Sequence, residues 1–300
     1  MACRSRLALS RYPSGHYSRF ALQFPLSTNE SCNGKVPMNT LELVLYGTLI
    51  VSTLQLGLWL YYRATDKAAW VDVGWAYGLG LIVLFYAYQG SGSLTSRLLA
   101  ATMGGLWSAR LGTYLFHRVK NEKEDGRYSE IKRNWKTNLP IKFFIFFQIQ
   151  AGLDVILSIP FLVLAQDPQA QLRWTQWTAL GMWMIAMIGE AVADHQLAQF
   201  KSEASHQGLT CRRGLWRYSR HPNYFFEWMM WIAFSLAAIQ SPGGLWSLVC
   251  PALMLYFLLR VTGIPATEAQ SLRSRPEDYR RYQEETSMLI PWFPKKRILP

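Results

Sequence analysis

The chain has 300 residues, half of them hydrophobic, with 13 Trp, 15 Tyr and 15 Phe but only 17% charged residues. So much apolar surface with so little charge excludes a disordered chain and leaves a large core or a membrane. The formal net charge of +12 would suit nucleic acid, but no basic module or motif accompanies it, and no nucleic-acid role is expected.

Residues 1–37 hold Arg4, Arg6, Arg11, Arg19 and Lys35 against Glu30 alone, with no apolar stretch long enough for a secretory signal. They are expected to be a disordered leader or the product of a mis-assigned start, with MNTLELVLYG from Met38 as the true opening. Residues 38–300 then read as a single multi-spanning domain. Seven apolar runs follow, at about 41–62, 73–89, 98–116, 142–164, 177–196, 224–240 and 244–262. A stretch such as IKFFIFFQIQAGLDVILSIPFLVL is apolar on every face, as lipid-exposed helices are.

Positive charge alternates between the connections. Those after the second, fourth and sixth runs hold only Arg97, only Arg173 and nothing. Those after the first, third and fifth hold Arg63 and Lys67, then a group from Arg118 to Lys142, then Lys201, Arg212, Arg213, Arg217 and Arg220. Arg273 to Arg297 close the chain with seven more basic residues. This bias predicts an all-α integral membrane bundle of about seven transmembrane helices with a cytoplasmic C-terminus. A multi-pass location follows, in a bacterial inner membrane or, in a eukaryote, the endoplasmic reticulum or another organelle.

The polar connections 117–141 and 197–223 are too short for independent domains. Cys3, Cys32, Cys211 and Cys250 have no metal or redox spacing, and no G-x-G-x-x-G or Walker loop is present. The chemistry must therefore sit among ionisable groups near the cytoplasmic span ends: Asp72, Arg110, His117, Glu190, Asp194, His195, Glu227 and Arg260, with Asp154 deeper. Some of these can snorkel to water, but Arg110 and Arg260 lie about two turns inside, where an unpaired guanidinium is costly.

Glu190 and Asp194 are four residues apart and share a helix face, so they require a cation or a hydroxyl-rich ligand between them. Arg260, Arg217 and Arg220 are candidate partners. A metal is the rival, but no second carboxylate pair completes a cage, and none is expected. In RYSRHPNYFFEW, Pro222 suits the first turn of a helix. A helix start with Arg217, Arg220 and His221 beside it suits a phosphate-bearing ligand. Asn223 and Glu227 share a face just inside the membrane, where an interfacial anchoring role, which would suffice for Arg217, Trp216 and Tyr218, does not explain them.

These stretches, in order, are DVGWAYG (72–78), EDGRY (124–128), FFQIQA (146–151), ADHQLAQFK (193–201), RYSRHPNYFFEW (217–228), GIPATE (263–268) and RSRPEDYRRYQEETSMLIPW (273–292). Together they resemble the DUF1295 group of the membrane steroid 5-alpha-reductase superfamily, over nearly the whole chain after Met38. The resemblance implies NADPH bound inside a seven-helix bundle and reduction of a C=C bond conjugated to a ketone, in a steroid, sterol, isoprenoid or other lipid. It implies cofactor roles for Asp194, Lys201, Asn223, Glu227 and Arg260, to which the helix-start reading adds Arg217, Arg220, His221 and Tyr224. The pattern N-x-x-x-E-x-x-x-W recurs as Asn223, Glu227 and Trp231. Asp72 and Tyr114 stand nearest in order to the carbonyl-polarising pair. Glu190 stands where the reductases have Asn, and Phe226 where they have Gly.

Two other readings remain. The R-H-P-N-Y corner also resembles that of S-adenosylmethionine-dependent isoprenylcysteine and phospholipid methyltransferases, for which Glu268 and Arg260 would hold the amino-acid end. A non-catalytic membrane scaffold would need no polar cluster at all. The expected partners are a lipid-like substrate and the membrane, with no obligate protein partner.

Overall fold

The computed structural model describes residues 38–121, 126–261 and 263–295, and the leader expected at 1–37 lies outside them. Regular structure among these residues is helical throughout. In order the helices are α1 (Thr40–Thr65), α2 (Trp70–Gln89), α3 (Leu94–Asn121), α4 (Gly126–Trp135), α5 (Leu139–Leu157) and α6 (Ile159–Ala165). Then come α7 (Trp174–Ser202), α8 (Pro222–Ala238), α9 (Val249–Tyr256), α10 (Ile264–Ser274) and α11 (Pro276–Glu285). Short 3-10 turns cover Gly214–Arg217 and Gly244–Leu248, and a π-helical turn, Phe257–Val261, follows α9.

Local chemistry sets the helix starts. Asn39 and Glu42 form a reciprocal capping box: each side chain accepts the other's backbone N–H at 2.9 Å, so α1 opens directly after Met38. Helices α5, α6, α8, α10 and α11 each carry a proline in their first two positions, where the missing N–H has no partner to lose. The run expected as one span at 142–164 is broken at Ser158, because Pro160 cannot donate back into α5. The polar connection expected at 117–141 is partly helical: α3 runs on to Asn121, and GRYSEIKRNW folds as α4.

Helices α1, α2, α5 and the stretch Gly244–Ser274 are each long and apolar enough to cross a membrane. Helices α3 and α7, with 28 and 29 residues, are longer than α1, α2 and α5 but less apolar, and α8 has 17 residues. Down the outside of α1, Leu45, Leu49, Leu56 and Leu60 are exposed. A face of that kind is matched to hydrocarbon rather than water.

The main core lies between α2, α3, α6, α7 and α8, where Trp107, Trp231, Phe234 and Phe161 are fully buried. Their rings meet edge-on or tilted at 4.8–6.3 Å, within the separations such pairs favour. Helices α7 and α8 pack closely. A Cβ at Gly189 of α7 would overlap the Phe226 ring, so this glycine makes room for the phenylalanine that departs from the reductase pattern.

At the end where α7 begins, the connection 166–173 is held by Asp167, which is fully buried. Arg173 grips it with two bonds, 2.6 and 3.2 Å, and the Ser241 hydroxyl and the Gln169 N–H donate at 2.6 and 3.1 Å. Burial alone would push this carboxyl up, but the bonds from Arg173, Ser241 and Gln169 outweigh it and hold Asp167 below the usual carboxylate range.

Candidate functional site

A cavity of about 380 Å³ opens at the other end of α7, where α3 also finishes and α8 starts. Its volume is that of a small-molecule site. Tyr114 and Arg118 of α3, Arg127 of α4, Lys201 of α7, Asn223 and Tyr224 of α8, Arg275, and Tyr279 of α11 all line it. Cations from four separate segments thus converge on one space.

The loop into α8 is anchored on α7. Gly214 has φ +56, and a Cβ there would strike the Gln196 side chain, so only glycine fits the approach. The Gln196 side-chain Oε1 accepts the Leu215 N–H at 2.9 Å, and the Trp216 indole donates to the Ala193 backbone carbonyl at 2.8 Å. This fixes where α8 begins and brings Asn223 against α7.

Behind Asn223 lies a cluster of buried charge. The Asn223 amide donates to Asp194 at 3.2 Å, and its Oδ1 is buried with no hydrogen-bond partner among the described residues. Arg110 of α3 sits 2.5 Å from Glu190 and 3.8 Å from Asp194. Arg110 is therefore the cation required between the two carboxylates, in place of Arg217, Arg220 or Arg260. Glu227 adds a third carboxylate whose charge acts on Arg110, Glu190 and Asp194. Its two oxygens accept the indole N–H groups of Trp107 and Trp231 at 3.1 and 2.9 Å. The Glu-x-x-x-Trp spacing is thus an i,i+4 hydrogen bond along α8.

The arginine and histidine of the R-H-P-N-Y corner turn to the C-terminal helices. Arg220 donates to Glu268 at 2.8 Å and to the backbone carbonyls of Gln283 and Thr286 at 3.0 and 2.8 Å. His221 stacks on Tyr224, and its Nε2 lies 3.2 Å from Glu268. Burial pushes the His221 imidazole below its ordinary value, although Glu268 opposes this. Tyr279 and Gln283 also donate to Glu268, and Tyr282 donates to the Trp216 carbonyl. Both Arg220 and His221 border the cavity, but their bonding latches α10 and α11 over it as its outer wall.

The other expected residues divide. Lys201, Tyr114, Asn223 and Tyr224 line the cavity, with the Tyr224 hydroxyl 3.2 Å from that of Thr267. Asp194 and Glu227 stand behind it. Arg217, in the 3-10 turn, and Arg260, in the π turn, are exposed and line none of it. Asp72 is engaged: Tyr128 and Arg127 donate to it at 2.7 and 3.1 Å, and Arg118 lies at 3.8 Å. It orders two arginines of the cavity wall and does not itself line the cavity. Arg118, Arg127 and Arg275 are the wall residues that sequence reasoning counted only as loop charge. The usable signals were EDGRY, which places Arg127 and Tyr128 inside a motif, and RSRPEDYRR, which does the same for Arg275.

An all-helical chain with four helices apolar enough to cross a bilayer, and a polar cavity at one end, is a multi-pass type of membrane protein. The family model described as "Protein of unknown function (DUF1295)" matches residues 58–286, and the chain belongs to that family. An uncharacterized protein of the fission yeast Schizosaccharomyces pombe is 27% identical over 280 residues, which covers 82% of this chain and 78% of the relative. The likeness therefore extends along both proteins. No solved structure matches.

Proposed function

We propose that this protein is an NADPH-dependent reductase of a C=C bond conjugated to a carbonyl in a steroid, sterol, isoprenoid or other lipid. It would work within a seven-span bundle whose cavity faces the cytoplasm. One observation carries the reading: a single cavity combines Arg118, Arg127, Lys201 and Arg275 with an unpartnered carboxamide oxygen on Asn223. Four cations suit a ligand with several phosphates. The Asn223 amide is spent on Asp194, so its Oδ1 is left to accept an N–H, as a nicotinamide carboxamide offers.

In this reading Arg118, Arg127, Lys201 and Arg275 hold the phosphates and Asn223 fixes the amide, and with it the face presented to substrate. When bound, the cofactor supplies the hydride. Tyr114, which lines the cavity, is better placed than Asp72, which does not, to donate to the substrate carbonyl. The methyltransferase alternative needs Glu268 for a ligand's amino group, yet Arg220, His221, Tyr279 and Gln283 already surround that carboxylate. The superfamily resemblance and the family match support the same direction.

The test is ligand binding by thermal shift on detergent-purified protein with NADPH, NADH or S-adenosylmethionine. A ligand at about 100 times its Kd stabilises the folded state by about 2.7 kcal/mol. NADPH should raise the midpoint most, and Asn223→Ala and Lys201→Ala should each shrink that rise. A response to S-adenosylmethionine alone would overturn the reductase reading in favour of the methyltransferase.

A further inference from the structure

Away from the cavity, the seam between α1, α2 and α5 encloses two polar side chains that the proposed chemistry does not use. Gln55 of α1 and Asp154 of α5 are both fully buried. All four of their side-chain nitrogen and oxygen atoms are enclosed, and none has a hydrogen-bond partner among the described residues. Both rest on α2, at glycines one turn apart. A Cβ at Gly74 would stand 3.1 Å from each end of the Gln55 amide, and one at Gly78 would stand 2.8 Å from Asp154 Oδ2. The two glycines are separated by about 6 Å along the helix axis. The other charged side chains of these three helices, Glu42, Arg63, Asp72 and Lys142, lie toward the helix ends, and Asp154 meets no cation among the described residues. The buried tyrosines of α1 and α2 are turned elsewhere: Tyr62 packs on the Phe143 ring, and Tyr86 meets the Ser158 hydroxyl at 3.5 Å.

We propose that Asp154 is a proton-binding site within the bilayer, where the neutral acid and the Gln55 carboxamide share one buried water and so clasp α5 to α1 across α2. An ionised Asp154 would hold a full charge in an apolar interior with no counter-charge, a state that buried groups leave by taking up a proton. The donor and acceptor count supports the neutral form. A water offers two donors and two acceptors. The Asp154 O–H and the Gln55 N–H donate to it, and it donates in turn to the Asp154 carbonyl oxygen and to Gln55 Oε1. Four bonds then meet four atoms. A carboxylate lacks the O–H and leaves its charge unmet. A metal ion is the rival occupant, but one carboxylate and one carboxamide supply three oxygens, short of the six or more that a hard divalent ion takes. The proton comes from solvent water, and no other bond changes. Neither residue lines the cavity, so the inference stands apart from the reductase reading.

The experiment is infrared difference spectroscopy on the full-length, detergent-purified protein at neutral pH, with wild type, Asp154→Asn and Gln55→Leu. The difference between wild type and Asp154→Asn should contain the C=O stretch of a protonated carboxyl, displaced to lower frequency in D2O. Carboxylate bands in its place, the mark of an ionised or cation-bound Asp154, overturn the proposal. Gln55→Leu should keep the protonated stretch but move it to higher frequency, because the acid loses part of its hydrogen bonding. A stretch that does not move in Gln55→Leu overturns the clasp. Should Asp154→Asn not fold, the difference between wild type and Gln55→Leu decides: a displaced protonated-carboxyl stretch supports the proposal, and its absence overturns it.

Discussion

Two buried charge clusters cap the two ends of α7, and they are built on opposite plans. At the start of the helix, Asp167 meets Arg173 with two bonds, and Ser241 and Gln169 take up its remaining lone pairs. Near the other end, Arg110 serves Glu190 and Asp194 at once while Glu227 adds a third acid group held by two indoles, and Asn223 keeps an unmatched acceptor. The first cluster matches one acid to one base and is saturated, as a staple should be. The second is neither matched nor saturated, and sites that must receive a ligand are left in that state.

The contrast is broken most severely by removing the shared cation. Arg110→Leu leaves buried Glu190 and half-buried Asp194 facing Glu227 without a cationic partner. It should lower stability by about 3–5 kcal/mol, read as a fall in thermal midpoint. Retention of the wild-type midpoint would show that the second cluster is as self-sufficient as the first.

A smaller effect is expected at the staple. Asp167→Asn should cost about 2 kcal/mol, since Arg173 keeps some contact with solvent. The pH dependence sharpens the point. The folded-state carboxyl of Asp167 titrates below the unfolded one. Its contribution is therefore full above the ordinary carboxylate range and is lost as pH falls through the folded-state value. Wild type should lose more midpoint than Asp167→Asn over that acid window, and parallel curves for the two would refute the assignment. The smallest effect belongs to Arg217→Ala. Its side chain is exposed and away from both clusters, so NADPH affinity and thermal midpoint should match wild type.

The helices were largely legible because apolar runs of that length have few other uses, and the Asn39 and Glu42 cap could be read directly from MNTLE. Helix α4 was not, because it is polar and short, and what holds it is distant in sequence: Asp72, which receives Tyr128 and Arg127, and the apolar cluster around Phe143. Arg220 was misleading for the same reason. A cation beside a helix start reads as an anion site until Glu268, 48 residues on, is seen to claim it. The Glu190 and Asp194 face was legible from spacing, whereas the choice of Arg110 as partner depended on how α3 packs beside α7. Sequence separation, not residue type, marks the boundary of what could be read.

The latch of α10 and α11 has a consequence for biosynthesis. Arg275 and Tyr279 complete the cavity wall, and Glu268 and Thr286 tie it to Arg220; three of these follow the last apolar stretch, Gly244–Ser274, and Glu268 lies near its end. A nascent chain can therefore place its apolar helices in a bilayer before its cavity exists. Premature termination after Val261 would yield a chain that inserts yet has no closed binding chamber. Quality control that watches only membrane insertion would pass such a fragment, while a tightly bound ligand would tell it apart from the finished protein.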